Sequence, residues 1–425
     1  MRKLKSPDGR FQGSADCAEP DGDERRVDML EGNDIICFSN DWDGDPLSKK
    51  HIALRLAKKN RVLWVNSTGN RNPTASVRDF RRVVTKLRQY CRGCRRVEKN
   101  IYVFSPLVIP FHGSRAARWM NRWMLAWSLR RACRKLSFHE PITWSFVPSS
   151  GDVAGSLGER LVVYHCVDEY SQFTGTDKTA ILDMERRLME KSDLVIVSSS
   201  RLYETKRPYN PNTFLVTHGV DVAHFRNACL PATATPQDCP QLQHPVIGFF
   251  GLIADWVDLD IIRYLAASRP AWSFVLIGEV QTDISVLREM PNVHLLGRRS
   301  YQTLPAYAKM FDVAILPFVV NELTLAANPL KLREYLAAGL PVVATPLPEV
   351  VKLDGLVRTA RTQEEFLNQI EAFLNEGKRG PNLEVSRLMD PESWDEKVEE
   401  LSCIIADAGI WGQRRGTALH AGWAV

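Results

Sequence analysis

Lys331 and Glu334 are the residues of this chain whose types and spacing most directly suggest chemistry. They stand in the segment NPLKLREYLAAGLPVVAT, which begins at Asn328. Residues three apart on a helix share a face, and a helix N-terminus beside an ammonium group attracts a diphosphate. A carboxylate one turn further on accepts hydrogen bonds from hydroxyls such as those of a ribose. The pair therefore suits a nucleoside diphosphate, although an ordinary surface Lys/Glu pair has the same spacing.

A short helix has to position this pair. Pro329 suits the first helical position, where its missing N–H costs nothing. Gly339 suits the residue just past the helix end, and Pro341 prevents the helix from continuing. Val342-Val343-Ala344 is then typical of a parallel strand that is covered on both faces.

Similar apolar segments, each ending in glycine or a polar loop, recur along both halves of the chain. In the C-terminal half they are 246–251, 273–279, 292–298 and 311–318; in the N-terminal half they are 34–38, 61–65, 101–105, 142–146 and 161–165, with an amphipathic helix at 48–59. Strands that alternate with helices form doubly wound parallel sheets, whose ligands bind beyond the carboxyl ends of the strands. We predict an α/β protein with two Rossmann-like doubly wound domains that face each other across a cleft.

Domain boundaries follow from proline clusters and helical periodicity. We predict a disordered lead-in at 1–31 without the apolar core of a secretory signal, an N-terminal domain at 32–228, a proline-rich linker at 229–244, a C-terminal domain at 245–388, a helix at 389–408 that crosses back, and a tail at 409–425. Trp394, Val398 and Leu401 recur at helical spacing, which is typical of a helix with one docked face.

Four motifs in a fixed order resemble those of a GT-B glycosyltransferase: GFFG, NVHLLGxxxYxxLPxY, DVAILPF and NPLKLREYLAAGLPVVAT. Upstream, THGVD at 217–221 resembles the end of the N-terminal domain in that superfamily, with His218 in place of the usual asparagine. The nearest branch acts on bacterial envelope and capsular polysaccharides and includes xanthan-type glucuronosyltransferases. The resemblance implies that Arg298 and Tyr301 lie near the nucleotide base and that Glu334 holds the ribose.

Sugar transfer requires that the departing diphosphate be neutralised. Lys331, the helix start from Asn328 to Leu330, and the backbone near Gly251 are the predicted groups for this task. No cofactor is expected, because the nucleotide sugar is itself the substrate. UDP is favoured because the resembling branch mostly uses it, and GDP is the alternative.

An inverting transfer also requires a base for the acceptor hydroxyl. Asp168, in YHCVDEY, follows an apolar strand and is the predicted base, although an aspartate there also suits a helix N-cap. Asp41, in the loop after the first strand, is the alternative base. Glu169 and His165 are further candidates.

The stereochemistry and the metal requirement follow from absent carboxylates. Many retaining GT-B enzymes carry a second glutamate eight residues before the ribose-binding one, and here that position is Ala326, with Glu322 nearby. The missing carboxylate favours inversion. Asp41-x-Asp43 and Asp258-x-Asp260 have metal-motif spacing but are typical of a loop and a helix start, so we expect no metal.

Charge and aromatic residues concentrate between Arg78 and Lys135. This segment holds 16 lysines and arginines against two acidic residues, whereas the whole chain carries only +5. Within it, Arg115, Arg118 and Arg122 flank Trp119, Trp123 and Trp127, which recur every four residues. Basic residues beside an aromatic stripe suit an anionic membrane surface. A core-facing stripe is the alternative; nucleic acid is disfavoured because no recognised nucleic-acid module is present.

Composition sets the remaining expectations. No apolar run approaches the ~18–20 residues of a membrane span, and the odd number of nine cysteines suits reduced thiols in a cytoplasm. We therefore expect a cytoplasmic protein, peripheral at the inner membrane face, with a lipid-linked or glycan acceptor. The alternatives are a sugar-nucleotide epimerase or hydrolase of the same fold, and a non-catalytic sugar-nucleotide-binding partner.

Overall fold

The computed structural model describes residues 30–67, 90, 93–109, 115–239 and 242–420. The predicted lead-in lies outside the described residues up to residue 29, as does much of the basic segment before residue 115. Two mainly parallel sheets with helices on their faces make up the described chain.

β1 lies near the centre of the N-terminal sheet. Strands β2 to β4 add on one side of it, and strands β5 to β8 add on the other. The strands of this sheet are β1 (Asp34–Phe38), β2 (Arg61–Val65), β3 (Arg95–Glu98), β4 (Ile101–Phe104), β5 (Ile142–Ser145), β6 (Leu161–Cys166), β7 (Leu194–Val197) and β8 (Thr213–Leu215), in the spatial order β3-β4-β2-β1-β5-β6-β7-β8. Only β3 is antiparallel to its neighbour within the described strands. The order reverses between β1 and β5, the kind of position where ligands bind in such sheets.

Alternate side chains of β1 enter two separate apolar layers. Among its described residues, the α-helices of this half are α1 (Ser48–Leu56), α2 (Arg115–Leu136), α3 (Lys178–Lys191) and α4 (Ser200–Lys206). Ile35 and Cys37 pack in the layer that contains α1, whereas Ile36 and Phe38 pack in the layer that contains α2. The period of two along a strand therefore covers both faces of the sheet.

The C-terminal sheet repeats this design around β9. Its strands are β9 (Val246–Phe250), β10 (Ser273–Ile277), β11 (Val293–Gly297), β12 (Val313–Leu316), β13 (Val342–Ala344) and β14 (Val357–Thr359), in the order β11-β10-β9-β12-β13-β14. The remaining helices are α5 (Val222–Phe225), α6 (Leu259–Ser268), α7 (Ser285–Arg288), α8 (Leu304–Ala308), α9 (Glu322–Ala326), α10 (Leu330–Ala337), α11 (Pro348–Val351), α12 (Gln363–Asn375), α13 (Leu383–Arg387) and α14 (Trp394–His420). All its strand pairs are parallel, so the prediction of two doubly wound domains is confirmed.

The chain passes between the domains at two adjacent places. Val220 already belongs to the C-terminal core, and Trp394, at the start of α14, belongs to the N-terminal core. The N–H of Val220 donates to the carbonyl of Glu392 at 2.8 Å, and the N–H of Trp394 donates to the carbonyl of Val220 at 3.1 Å. The outgoing and returning segments therefore form a short parallel bridge.

Two predicted boundaries differ from the structure. The first crossing precedes the predicted linker, because α5 packs in the C-terminal core and the amine of Lys309 holds the carbonyls of Leu230 and Thr233, each at 2.7 Å. The final helix continues to His420 instead of ending at residue 408. The clustered prolines correctly indicated that the described part of the segment 229–244 is irregular, but they could not show that it packs on the C-terminal domain.

Candidate active site

The carboxyl end of β9 meets the start of α10. Gly251 has a φ of 155°, which side chains rarely adopt, and a Cβ added there would lie 3.6 Å from both Cγ and Cε of Lys331. Because Gly251 has no side chain, its backbone and the Lys331 amine border the same space at the sheet edge.

Lys331 and Glu334 form a direct ion pair on the first turn of α10. Their Nζ and Oε2 atoms are 2.8 Å apart, and the ammonium also lies 5.4 Å from the Phe250 ring centre. Glu334 is only 2% exposed. Burial raises its pKa, while Lys331 and His224 act in the opposite direction. Helix α10 begins at Leu330 with Pro329 as its N-cap, one residue later than predicted.

Asn328 and Leu330 turn their side chains towards the N-terminal domain. The amide of Asn328 donates to the carbonyl of Ser198 at 2.6 Å, and Leu330 packs against the N-terminal core. Any contribution of these two residues to an anion therefore comes from their backbone, at the helix start.

Arg298 and Tyr301 have partners that the sequence did not indicate. Arg298 forms an exposed ion pair with Asp45 of the other domain at 2.8 Å. The Tyr301 ring stacks on His224 with centroids 4.4 Å apart, and its buried hydroxyl has no partner among the described residues. Contact of Arg298 and Tyr301 with a nucleotide base stays a prediction.

Asp168 lies just beyond the carboxyl end of β6 and is half-buried. It does not cap the next short helix, Tyr170–Gln172, whose N-cap position is Glu169 and has no side-chain cap. Burial raises the pKa of Asp168 to about 6; the ammonium of Lys49 lowers it and Glu169 raises it. A carboxyl group with such a pKa is well matched to proton transfer near neutral pH.

Lys49 contacts the loop that carries Asp168, and the sequence did not indicate this contact. Its amine is buried at the start of α1, where it donates to Asn40 Oδ1 at 3.2 Å and to the Tyr170 hydroxyl at 3.0 Å. In the sequence it was one polar residue of an amphipathic helix. Its burial depends on Tyr170, which lies 121 positions away.

The other base candidates differ in their surroundings. Asp41 lies on the exposed loop after β1. Glu169 is bound by Lys206 at 2.8 Å and by the Ser171 hydroxyl at 2.8 Å. His165 is buried with an unpartnered Nδ1 atom among the described residues, and burial holds its pKa well below the usual value. Asp168 is partly accessible, and its pKa is raised towards neutrality, which suits the role of a base.

Ala326 is buried, and its carbonyl accepts a hydrogen bond from Ser199 at 2.6 Å across the domains. Glu322 pairs with Arg201 at 3.4 Å and lines a cavity of about 460 Å³ between the domains. Its carboxylate therefore already has a cationic partner. Among the residues that the structure describes, no group of three or more His, Cys, Asp or Glu is arranged to hold a metal ion.

Helix α2 exposes the tryptophan stripe. Trp119, Trp123 and Trp127 are 64%, 61% and 58% exposed, so the core-facing alternative is wrong. The opposite face of α2, including Leu125 and Leu129, packs in the apolar layer against the sheet. Within the described part of the chain, no helix has the length and apolarity to cross a membrane.

The basic residues of α2 do not all share that surface. Arg122 is exposed beside the tryptophans, and the Arg115 side chain lies outside what the structure describes. Arg118 differs from the prediction: it is 11% exposed and bound to Asp152 at 2.6 Å and to Asp183 at 2.9 Å. Spacing alone assigned it to the basic surface, but two acidic partners distant in sequence turn it inward.

Comparisons with known proteins find glycosyltransferases. Residues 244–376 match the family model described as glycosyl transferases group 1. The putative teichuronic acid biosynthesis glycosyltransferase TuaH of Bacillus subtilis (strain 168) is 25% identical over 341 residues, covering 75% of this chain and 82% of that protein.

Solved structures match over nearly the whole chain. The catalytic domain of starch synthase IV from Arabidopsis thaliana, bound to ADP and acarbose, gives a TM-score of 0.60 at 11% identity, covering 89% of this chain and 100% of that chain. Anabaena Alr3699/HepE in complex with UDP gives a TM-score of 0.53 at 14% identity, covering 92% and 100%. At these identities the likeness shows a shared fold.

Proposed function

We propose that this chain, a glycosyltransferase of the GT-B fold, moves a sugar from a UDP-sugar to a lipid-linked or polysaccharide acceptor of the bacterial envelope. The observation that carries the proposal is the Lys331–Glu334 pair at a helix start, directly beside Gly251. The teichuronic acid description of the Bacillus relative supports an envelope acceptor.

The donor half binds and neutralises the leaving group in this proposal. Lys331 and the backbone N–H groups at the start of α10 face the diphosphate, whose negative charge increases as the bond to the sugar breaks. Glu334 accepts hydrogen bonds from the ribose hydroxyls. Lys331 also pairs with the Glu334 carboxylate, which balances a charge that burial makes costly.

The acceptor half supplies the base. Asp168 takes the proton of the acceptor hydroxyl. The acceptor oxygen then bonds to the anomeric carbon while the diphosphate leaves from the opposite face. A single displacement of this kind inverts the configuration. The alanine at 326 supports this course, because it offers no second carboxylate. The transfer needs no metal in this proposal, since Lys331 and the helix start neutralise the leaving group.

The exposed face of α2 supports work at the cytoplasmic face of a membrane. Trp119, Trp123 and Trp127 present indole rings to solvent beside Arg122. Indole rings favour the membrane–water interface, and basic residues favour anionic headgroups. A lipid-linked acceptor would then be held near the N-terminal domain, which carries Asp168.

UDP binding to wild type and Lys331→Ala tests the donor site. Losing a charge-assisted contact costs about 1.5–3 kcal/mol, so we expect UDP affinity to fall roughly tenfold to over a hundredfold. Isothermal titration calorimetry measures it, with GDP as the competing nucleotide. Lys378→Ala is the control, because that lysine is exposed and pairs with Glu376 in the C-terminal domain. Unchanged UDP affinity in Lys331→Ala would contradict the proposed donor site.

Transfer itself is tested with Asp168→Asn. We expect UDP affinity close to wild type but turnover of a UDP-sugar reduced by at least about a hundredfold, because general-base catalysis contributes about 10²–10⁴-fold. Proton NMR of the product gives its anomeric configuration. A product with the configuration of the donor would rule out the inverting course.

A further inference from the structure

Lys49 has an unusual environment for a lysine. Its side chain is only 5% exposed, and both acceptors of its amine, Asn40 Oδ1 and the Tyr170 hydroxyl, are neutral. Among the described residues no carboxylate oxygen lies within 4.0 Å of its Nζ atom. A buried ammonium without a direct ion pair is costly, so its charge calls for a functional explanation.

The amine joins the two loops that carry the candidate bases. Asn40 directly precedes Asp41 in the loop after β1, and Tyr170 follows Asp168 by two residues in the loop after β6. These loops lie at the carboxyl ends of strands on either side of β5. One side chain therefore fixes the spacing between both loops on the cleft side of the sheet.

Asp168 is the acidic side chain whose charge acts most strongly on Lys49. Burial lowers the pKa of Lys49, and Asp168 opposes that shift, followed by Cys37 and Cys166. In return, Lys49 is the one cation that lowers the pKa of Asp168 among the residues described, against burial and Glu169. The groups that face Asp168 are therefore Lys49 from α1, Glu169 and Tyr170 from its own loop, and Cys166 from β6, whose thiol donates to the Asp168 carbonyl at 3.4 Å.

We propose that Lys49 is a positioning residue for the base: it fixes the loops after β1 and β6 and keeps the Asp168 carboxylate ionised at neutral pH. The inference rests on the proposed role of Asp168. The hydrogen bonds of Lys49 would not by themselves require a positive charge, since a neutral side-chain amide could also donate to Asn40 Oδ1 and to the Tyr170 hydroxyl. The positive charge distinguishes Lys49 from such a spacer, because it favours the carboxylate form that accepts the hydroxyl proton.

Neutral and charged replacements of Lys49 separate these two roles. Lys49→Met and Lys49→Gln both remove the charge, and Gln keeps donors for Asn40 and Tyr170; Lys49→Arg keeps the charge. We measure hydrolysis of UDP-glucose, UDP-galactose, UDP-glucuronate and UDP-N-acetylglucosamine between pH 5 and 9, together with UDP affinity. Lys50→Met is the control, because the Lys50 amine bonds to the carbonyl of Trp42.

We expect the acidic limb of the turnover profile, near pH 6 in wild type, to move upward by about one unit or more in Lys49→Met and Lys49→Gln. Lys49→Arg and Lys50→Met should keep the wild-type midpoint, and UDP affinity should stay within about threefold in every variant. An unmoved midpoint in the neutral variants would overturn the inference, even if their turnover fell.

A titration without turnover keeps the two hypotheses distinguishable. The carboxyl ¹³C signal of Asp168, assigned by its absence in Asp168→Asn, reports the same midpoint without a substrate. A wild type that neither binds UDP nor hydrolyses any of the four sugars would refute the proposed function. A wild type that does so, with a ¹³C midpoint that is equal in Lys49→Gln, would refute the role of Lys49 alone.

Discussion

The carboxyl group of Asp168 lies where burial opposes its charge. With the pKa raised to about 6, the carboxylate form is more costly in the folded protein than in the unfolded chain, where aspartate has a pKa of about 3.9. In the proposed function, Asp168 accepts a proton in this carboxylate form. The burial that suits Asp168 to that role therefore also lowers the stability of the fold at neutral pH.

Asp168→Asn is expected to be more stable than wild type at pH 7.5. The folded wild type takes up a proton as pH falls through about 6, whereas the unfolded chain does so only near 3.9. As the pH falls from about 6 towards about 3.9, the wild-type protein therefore gains folding stability. The stability advantage of Asp168→Asn over wild type is expected to be smaller at pH 5 than at pH 7.5. Melting temperatures at pH 7.5 and 5.0 measure this difference.

Asp407→Asn, an exposed substitution on α14, is the control and should behave as wild type at both pH values. Asp168→Asn could instead be less stable than wild type by the same amount at both pH values. That result would show that burial of the Asp168 carboxylate does not destabilise the fold.

At the scale of elements, α2 packs one apolar face on the sheet and presents its three tryptophans on the opposite, exposed face. We expect Trp119→Ala/Trp123→Ala/Trp127→Ala to lose binding to phosphatidylglycerol vesicles, because the indole rings supply the apolar contact. Arg122→Ala should weaken binding roughly fivefold, from about 1 kcal/mol per basic residue near an anionic surface. Flotation of the purified protein with vesicles at low salt measures both variants.

Tyr209→Ala controls for the loss of any exposed aromatic side chain, since Tyr209 is 52% exposed and lies outside α2. It should float as wild type does. If the triple tryptophan variant also floats unchanged, α2 is not the membrane-binding element.

Regular, buried elements were predictable from the sequence. The apolar runs within β1 and β2 predicted the bounds of both strands as the structure has them, and Gly339, with a φ of 76°, follows the end of α10 as expected. Strands β3, β8 and β14 were missed. Strand β3 is polar and exposed, and β8 and β14 have only three residues each, so none of them carries a clear apolar pattern.

The site was predictable where its residues are neighbours in sequence. Lys331 and Glu334 are one helical turn apart. The glycosyltransferase prediction drawn from their segment agrees with the family match over residues 244–376, and the solved structures confirm the predicted fold. Lys49 and the inward turn of Arg118 were not predictable. Each depends on partners from other elements, Tyr170 for Lys49 and Asp152 with Asp183 for Arg118.

At the scale of the whole molecule, α14 belongs to the core of the domain that the chain left earlier. Leu401→Ala should destabilise the protein by about 2–5 kcal/mol, because its side chain is 1% exposed in the N-terminal core. Chemical denaturation followed by circular dichroism measures the change.

Glu399→Ala, on the exposed face of the same helix, should change stability by no more than about 0.5 kcal/mol. Equal effects of the two substitutions would mean that α14 adds no core to the N-terminal domain.

The bridge between Val220 and Ser393 gives the two crossings a mechanical consequence. One flexible connection would let the domains swing and twist in every direction. Two connections that are bonded side by side should restrict the relative motion of the two domains to rotation about roughly one axis, and should resist twisting of one domain against the other. We therefore expect any closing motion to bring the start of α10, whose Asn328 already bonds to Ser198 of the other domain, towards the N-terminal domain along one repeatable path.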